Sequence, residues 1–509
     1  MSKKTVAVIG GGIAGLAAVK SCLDYGLNVT CYERRADVGG VWYGDGPLAE
    51  DSDVECQAYD KMTSNIWRHG YTFSDFPPEQ DIPLQPRRKD VHLHLQRFAQ
   101  HFNLLPLIKF DTSVIEVTKA GSYDISGQWK VRTRNQISQE INEEVFDAVM
   151  LCTGNFCKAV VPQIPNREEF GGSVVHSGRV WDINRYRDKT VVLVGGGVSG
   201  IDFAQRIGPL AKKVYLVHKQ GCWLLPYSAI NRPFEWFTYD WKAQQGMEVS
   251  KFQDILEQVC YDRYDMEALG LHPEHRMGGG AFGIGGDIDQ LIYSAKVETI
   301  KDTVTAFTSN GVQLKGQTSL ECDDVIFTTG YKTDLNFVKA KDVLPDDFQS
   351  DTWLYFYPRN QKHPTLFTVV QHYAFTCPPM QAELQTRAAA AIISGERSLP
   401  SKEEMDESFK FHHDLQMKLS GKFPGQVGYA FKFDLGRFIG CYPDIAEIES
   451  RSPELAEITR NGPYLPYHHR LLGPHAKWKL AEEAIRLAHK DFSQKTANTT
   501  AEFRKKFCI

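Results

Sequence analysis

Twice along this chain a short apolar strand runs into a glycine turn and then a helix. Gly10-Gly-Gly-Ile-Ala-Gly15 follows the β-branched run Thr5-Val-Ala-Val-Ile9. It precedes a segment, Ile13 to Tyr25, in which Leu16, Val19 and Leu23 recur at helical spacing and Gly26 supplies a stop. Asn28 to Glu33 reads as the next strand. The order repeats as strand Thr190–Val194, turn Gly195-Gly-Gly-Val-Ser-Gly200, helix from Ile201 and strand Val214–Val217. Apolar strands of this kind belong to parallel sheets covered on both faces. The chain is therefore expected to be an α/β protein with two doubly wound, Rossmann-like dinucleotide-binding domains.

The glycine spacing has a physical reading. Gly10 and Gly195 permit the tight turn, Gly12 and Gly197 let the backbone approach a pyrophosphate, and Gly15 and Gly200 let helix and strand pack closely. The helix N-terminus then presents unpaired N–H groups and partial positive charge to phosphates. The strand ends differ. Glu33 stands 18 residues after Gly15, where a carboxylate accepts from ribose hydroxyls. The second unit ends in His218-Lys219, where an ammonium attracts the 2′-phosphate that a carboxylate would repel. A charged hydrogen bond is worth about 1.5–3 kcal/mol, roughly 10- to 100-fold in affinity. The second site is thus expected to take NADPH rather than NADH.

Strand-like Ala148-Val-Met-Leu-Cys-Thr-Gly154 and Val325-Ile-Phe-Thr-Thr-Gly-Tyr331 flank the second unit. They place an NADP domain, residues 160–327, as an insertion in an FAD domain formed by residues 1–159 and 328–509. Gly278 to Gly286 is expected to be a flexible loop, because no apolar strand precedes it.

A chain of 509 residues exceeds one ordinary core. Its 42% hydrophobic and 24% charged residues are those of a globular protein, and a net charge of −5 does not point to nucleic acid. No run approaches the roughly 18 apolar residues of a membrane span. Eleven cysteines without repeated spacing fit reduced thiols and a cytoplasmic setting. The amphipathic segment Trp478 to Ala488 is the part suited to peripheral membrane attachment. Oligomeric state is not encoded in the pattern, and a homodimer is compatible with it.

Several signals are discounted. Cys152 lies in a buried strand, so it and Cys157 are not read as a redox pair against a flavin. His92, His94 and His101 are read as surface residues of a helix from Val91 to Phe102, and no metal site is expected. No Gly-x-Ser-x-Gly elbow occurs.

The chain resembles the flavin-containing monooxygenases of the animal-type branch. The resemblance is carried by Gly10 to Gly15, Glu33, Gly39-Gly-Val-Trp42, Cys152-Thr-Gly154 and Thr329-Gly-Tyr331. Ala382-Glu-Leu-Gln-Thr-Arg387, Gly462-Pro-Tyr-Leu-Pro-Tyr467 and Arg470-Leu-Leu-Gly-Pro474 extend it, so that it spans about Val6 to Trp478. It implies FAD and NADPH as cofactors. It also implies that Gly10, Gly11, Gly12, Ile13, Ala14, Gly15, Glu33, Gly40, Val41, Trp42, Ser64, Asn65, Thr153, Thr329, Gly330 and Gln385 form cofactor contacts. On the NADP side the same holds for Gly195, Gly197, Ser199, Gly200, Asp202 and Lys219. Asn65, in Thr63-Ser-Asn65, corresponds to the asparagine near flavin and nicotinamide and is the candidate catalytic residue.

Two features depart from the family. In the segment Phe170, Gly172, His176, the aromatic position after His176 holds Val180, with Trp181-Asp182 next, whereas ketone-oxidising Baeyer–Villiger relatives carry Trp-Pro. The C-terminus, Phe503-Arg-Lys-Lys-Phe-Cys-Ile509, is polar where animal-type enzymes commonly carry a hydrophobic anchor. The implied activity is reduction of FAD by NADPH, addition of O2 to give a C4a-hydroperoxyflavin, and oxygen transfer to a soft nucleophile, an amine or a sulfide. Ketone oxygenation and an NADPH-dependent reductase or oxidase without oxygen transfer are the alternatives.

Overall fold

In the computed structural model, described for residues 3–50, 52, 54–229, 232–233, 248–372, 377–421 and 430–493, two parallel sheets carry the two glycine turns. The first sheet is ordered Leu366–Thr368, Ala148–Leu151, Thr5–Ile9, Asn28–Tyr32, Ile108–Lys109. All its neighbours pair in parallel, Val6 lying opposite both Val29 and Ala148. The second is ordered Val297–Lys301, Lys213–His218, Thr190–Val194, Asp324–Phe327, Ser173–His176, again wholly parallel.

The strands are apolar on both sides because both faces are covered, one by helices and the other by a small antiparallel sheet. Val6, Val8, Ala148 and Met150 are buried against the Ile13–Asp24 helix and the Pro378–Ser394 helix. Ala7, Ile9, Val149 and Leu151 face a separate core with Trp129 and Val131 of an antiparallel sheet. The second sheet's central strand divides likewise, Val191 and Leu193 packing with Ile201 and Val192 packing with Phe327.

The second sheet's strands all fall between residues 173 and 327, while the first sheet's fall on either side. Where the chain passes between them, Lys158–Ala159 pairs antiparallel with Tyr331–Lys332, so the outgoing and returning segments run side by side.

Several elements differ from expectation. The first helix ends at Asp24 and its following strand at Tyr32, which leaves Glu33 just past the strand. Cys152 also lies beyond its strand, which ends at Leu151, yet it is buried and its N–H donates to Ile9 O at 2.9 Å. The Gly278–Gly286 stretch is not simply a loop. Phe282–Gly285 is a strand that pairs in parallel with Trp223–Pro226. A Cβ on Gly283 would stand 2.4 Å from Ile201 and one on Gly285 2.7 Å from the Tyr264 hydroxyl, so these glycines serve close packing.

The Arg88–His101 helix buries His94, whose Nε2 lies 2.9 Å from Thr72 Oγ1, so His94 is a core residue rather than a surface one. The C-terminal helix runs from Trp478 to Ser493 and buries Ala481, Ala484, Ile485, Ala488 and Phe492 against the protein. Its apolar face is therefore already covered. No described helix is long and apolar enough to cross a membrane.

Candidate active site

At the carboxyl edge of the first sheet Gly10 adopts φ +106°, which side chains resist, and an added Cβ would meet Cys152 O at 2.7 Å. Gly15 has even less room, since its Cβ would fall 1.7 Å from Gly10 O. Gly12 is different. It caps the helix that begins at Ile13 and Ala14, and across from it stands Gly40, 3.3 Å from where its Cβ would be. The two turns are linked by Gly39 N–H donating to Gly11 O at 3.1 Å. The two backbones pack directly against each other, which leaves the helix N-terminus at Gly12 bare of side chains, as a pyrophosphate there requires.

The junction of the two turns is held by buried and half-buried polar groups. Glu33 accepts from Gly11 N–H at 2.5 Å through one oxygen and from Arg35 N–H at 2.9 Å through the other. Each oxygen keeps a second lone pair for a ribose hydroxyl. Arg35, which carried no sequence signal, donates to Gly40 O at 2.7 Å, Tyr43 O at 3.0 Å and Cys56 O at 3.0 Å. Arg88 donates to Trp42 O and Gly44 O. The short Gly40–Trp42 helix, with half-buried Val41, is thus fixed from two sides, and Trp42 donates its indole N–H to the Tyr71 hydroxyl.

Thr153 lies beside Gly10 and accepts from Gln371 Nε2 at 3.3 Å. The same amide nitrogen approaches Leu151 O and Val369 O, while Gln371 Oε1 is buried and accepts nothing among the described residues. A buried acceptor without a donor, beside the glycine turn, is what a polar cofactor would complete. Gln385 is not free in this way. Its Oε1 accepts from Val370 N–H at 2.9 Å and its Nε2 donates to Tyr355 O at 3.0 Å. It anchors the Val370–Gln371 turn, where Val370 itself has φ +54°.

Asn65 sits in a half-buried loop between Met62 and Gly70 and makes no side-chain hydrogen bond among the described residues. Ser64 shapes that loop, its hydroxyl donating to Ile66 O at 3.0 Å and accepting from Ile66 N–H at 3.1 Å. Ser64 N–H donates to Pro86 O at 2.8 Å. The amide of Asn65 is therefore available to a ligand while its backbone is constrained.

The second turn repeats the first. Gly195 has φ +122° and a Cβ on it would stand 2.6 Å from Thr328 O, while a Cβ on Gly200 would fall 1.9 Å from Gly195 O. Gly197 meets nothing within 4 Å. Ser199 is half-buried in the first turn of the Val198–Ile207 helix. Asp202 in that helix accepts from Tyr59 Oη at 2.7 Å and lies 3.4 Å from Arg206 Nε. Burial pushes its carboxyl above the usual range, against the pull of Arg206 and Tyr59. It binds the segment before Asn65 to the second unit.

Thr329 donates to Val160 O, and Gly330 O accepts from Val160 N–H at 3.0 Å and lies 3.1 Å from His176 Nε2. Both therefore brace the crossing segments. Lys219 is exposed at the end of the Lys213–His218 strand. His218 is buried, its Nε2 lying 3.0 Å from Gly270 O and its Nδ1 accepting from Gly221 N–H. Burial lowers its pKa, which keeps the ring neutral.

The family model described as flavin-binding monooxygenase-like matches residues 3–506. Flavin-containing monooxygenase 5 of Cavia porcellus is 32% identical over 98% of this chain and 94% of its own length. The Homo sapiens protein of the same name is 31% identical, over 95% and 92%. Among solved structures, the S-allyl-L-cysteine S-oxygenase from Allium sativum shares the fold with a TM-score of 0.61 at 19% identity, covering 100% of this chain and 99% of that one. An open crystal structure of cyclohexanone monooxygenase gives 0.64 at 17% identity, over 89% and 99%. With two nucleotide cradles on one α/β framework and a family match along nearly its whole length, the chain belongs to the flavin-binding monooxygenase-like family and is an NADPH-dependent flavin monooxygenase that uses FAD.

Proposed function

We propose that this enzyme transfers one oxygen atom of O2 to a soft nucleophile, a tertiary amine or a thioether, beside Asn65, the other oxygen leaving as water. The observation that carries the reading is the free amide of Asn65 on a constrained, half-buried loop. Bound FAD, once reduced by NADPH, supplies the activation of oxygen. The helix N-terminus at Gly12 would hold its pyrophosphate, Glu33 its ribose, and Thr153 with Gln371 Oε1 would offer polar contacts. Asn65 would donate a hydrogen bond at the reacting oxygen and help exclude water. A substrate that is itself the nucleophile needs no catalytic base. Residues 160–327 would form the NADP domain, between FAD-domain segments 1–159 and 328–509.

Oxygen uptake with NADPH and a panel of a tertiary amine, a thioether and a ketone tests this. One N- or S-oxide per O2 is expected. Ester or lactone from the ketone alone would make ketone oxygenation the function. Hydrogen peroxide as the sole product would overturn oxygen transfer altogether.

For coenzyme choice, Lys219 is the reading's cation, since neutral, internally bonded His218 offers no charge to a 2′-phosphate. Lys219→Ala is expected to reduce the NADPH-over-NADH ratio of kcat/KM by roughly 10- to 100-fold. An unchanged ratio would assign the 2′-phosphate to another residue.

A further inference from the structure

The loop that carries Asn65 is held at its two ends by different parts of the molecule. Its first half leans on the segment before the Arg88–His101 helix, through Ser64 N–H to Pro86 O and the Thr63–Arg87 bridge. Its second half, Trp67-Arg68-His69, meets the last turn of the C-terminal helix. Asp491 Oδ2 lies 2.5 Å from Arg68 Nη2 and 2.6 Å from His69 Nε2. The Phe492 ring lies 5.8 Å from the Trp67 ring and 5.6 Å from that of His69.

These groups bond to one another. Burial depresses the pKa of His69 despite the carboxylate, so its ring is neutral. Nε2–H then donates to Asp491, and Nδ1 accepts from the Tyr467 hydroxyl at 3.1 Å. Burial also raises Asp491, but the bonds from His69 and Arg68 outweigh it and hold the carboxyl below its usual range. Arg68 continues inward, donating to Ile82 O at 2.7 Å, while its backbone N–H donates to Leu84 O at 2.9 Å. One carboxylate from the far end of the chain thereby neutralises a buried guanidinium and orients an imidazole three and four residues beyond Asn65.

We propose that Asp491 and Phe492, at the end of the C-terminal helix, are positioning residues for Asn65, fixing its loop through Arg68 and His69. The inference rests on the reading of Asn65 given above. Neither residue touches the glycine cradles, so flavin content should not depend on them.

The test is Asp491→Ala in the flavin-loaded full chain, read by hydrogen–deuterium exchange and by the fraction of oxidised NADPH recovered as hydrogen peroxide. Exchange is expected to rise several-fold in peptides covering residues 62–71 and not in those covering 5–33. The peroxide fraction is expected to rise with it. Asn65→Ala combined with Asp491→Ala should uncouple no further than Asn65→Ala alone. Unchanged exchange over 62–71 overturns the inference, and so does raised exchange with wild-type coupling where Asn65→Ala itself uncouples. If Asn65→Ala leaves coupling intact, the reading of Asn65 fails and the exchange result alone decides the clamp. Should Asp491→Ala not fold, Asp491→Asn decides in its place, and it is expected to loosen the loop less.

Discussion

Replacing Gly197 with valine is expected to give a folded, flavin-loaded enzyme that NADPH reduces only at concentrations roughly 100-fold above those the wild type needs. The reason lies in what does not surround this glycine. Its φ of −84° is open to any residue, and apart from its chain neighbours and its own helix no described atom lies within 4 Å of the position a Cβ would take. Neither backbone strain nor packing therefore requires glycine there. The remaining requirement is a ligand that must come close to the helix N-terminus. A branched side chain would hold a pyrophosphate off the N–H groups, and two charged hydrogen bonds lost at about 1.5 kcal/mol each, the lower end of their range, account for the size of the effect. Gly200→Ala is a different lesion, because its Cβ would strike Gly195 O at 1.9 Å and break the turn itself. Gly12→Val in the first cradle is expected to purify without flavin, its side chain pressing on the Gly40 backbone and crowding the helix N-terminus. Anaerobic titration of the Gly197→Val flavin absorbance with NADPH, with dithionite as a control for reducibility, provides the measurement. A wild-type titration curve would remove Gly197 from the coenzyme site.

What the sequence made legible follows from what local chemistry encodes. Strands Thr5–Ile9 and Thr190–Val194 were readable because a buried parallel strand is a run of β-branched residues bounded by a turn. Gly10, Gly15, Gly195 and Gly200 were readable because steric exclusion depends on neighbours close in sequence or at a fixed strand register. The Phe282–Gly285 strand was not, because its glycines answer to Ile201 and Tyr264, which no spacing rule connects to them. Arg35 and Arg88 escaped notice since they bond to backbone carbonyls, which every residue possesses. Gln385 shows the converse. The resemblance marks it as a cofactor contact, and the fold spends both ends of its amide on Val370 and Tyr355. The contacts of Asp491 with Arg68 and His69 join residues more than 400 positions apart and have no local signature.

Asn65→Ala is expected to keep its FAD and still oxidise NADPH, while releasing most of the reducing equivalents as hydrogen peroxide. None of the hydrogen bonds of Glu33, Thr153 and Gln371 involves Asn65, and the Gly12 turn is built without it, so the flavin is expected to stay bound. NADPH, expected at the second turn, should bind as before. What the amide offers is a hydrogen-bond donor at a half-buried point, unused by the described residues. Transfer of oxygen to an amine or thioether competes with escape of peroxide to water, and a donor fixed at the reacting oxygen favours transfer. Losing one such donor is worth about 1–3 kcal/mol, enough to move the ratio of peroxide to product by roughly tenfold or more. Asn65→Gln should recover part of the coupling, because it restores a donor at a displaced position. The experiment compares NADPH consumed, N- or S-oxide formed and peroxide released for the three proteins. Coupling equal to wild type in the flavin-loaded alanine variant would make Asn65 a loop residue and assign the donor's role to another group.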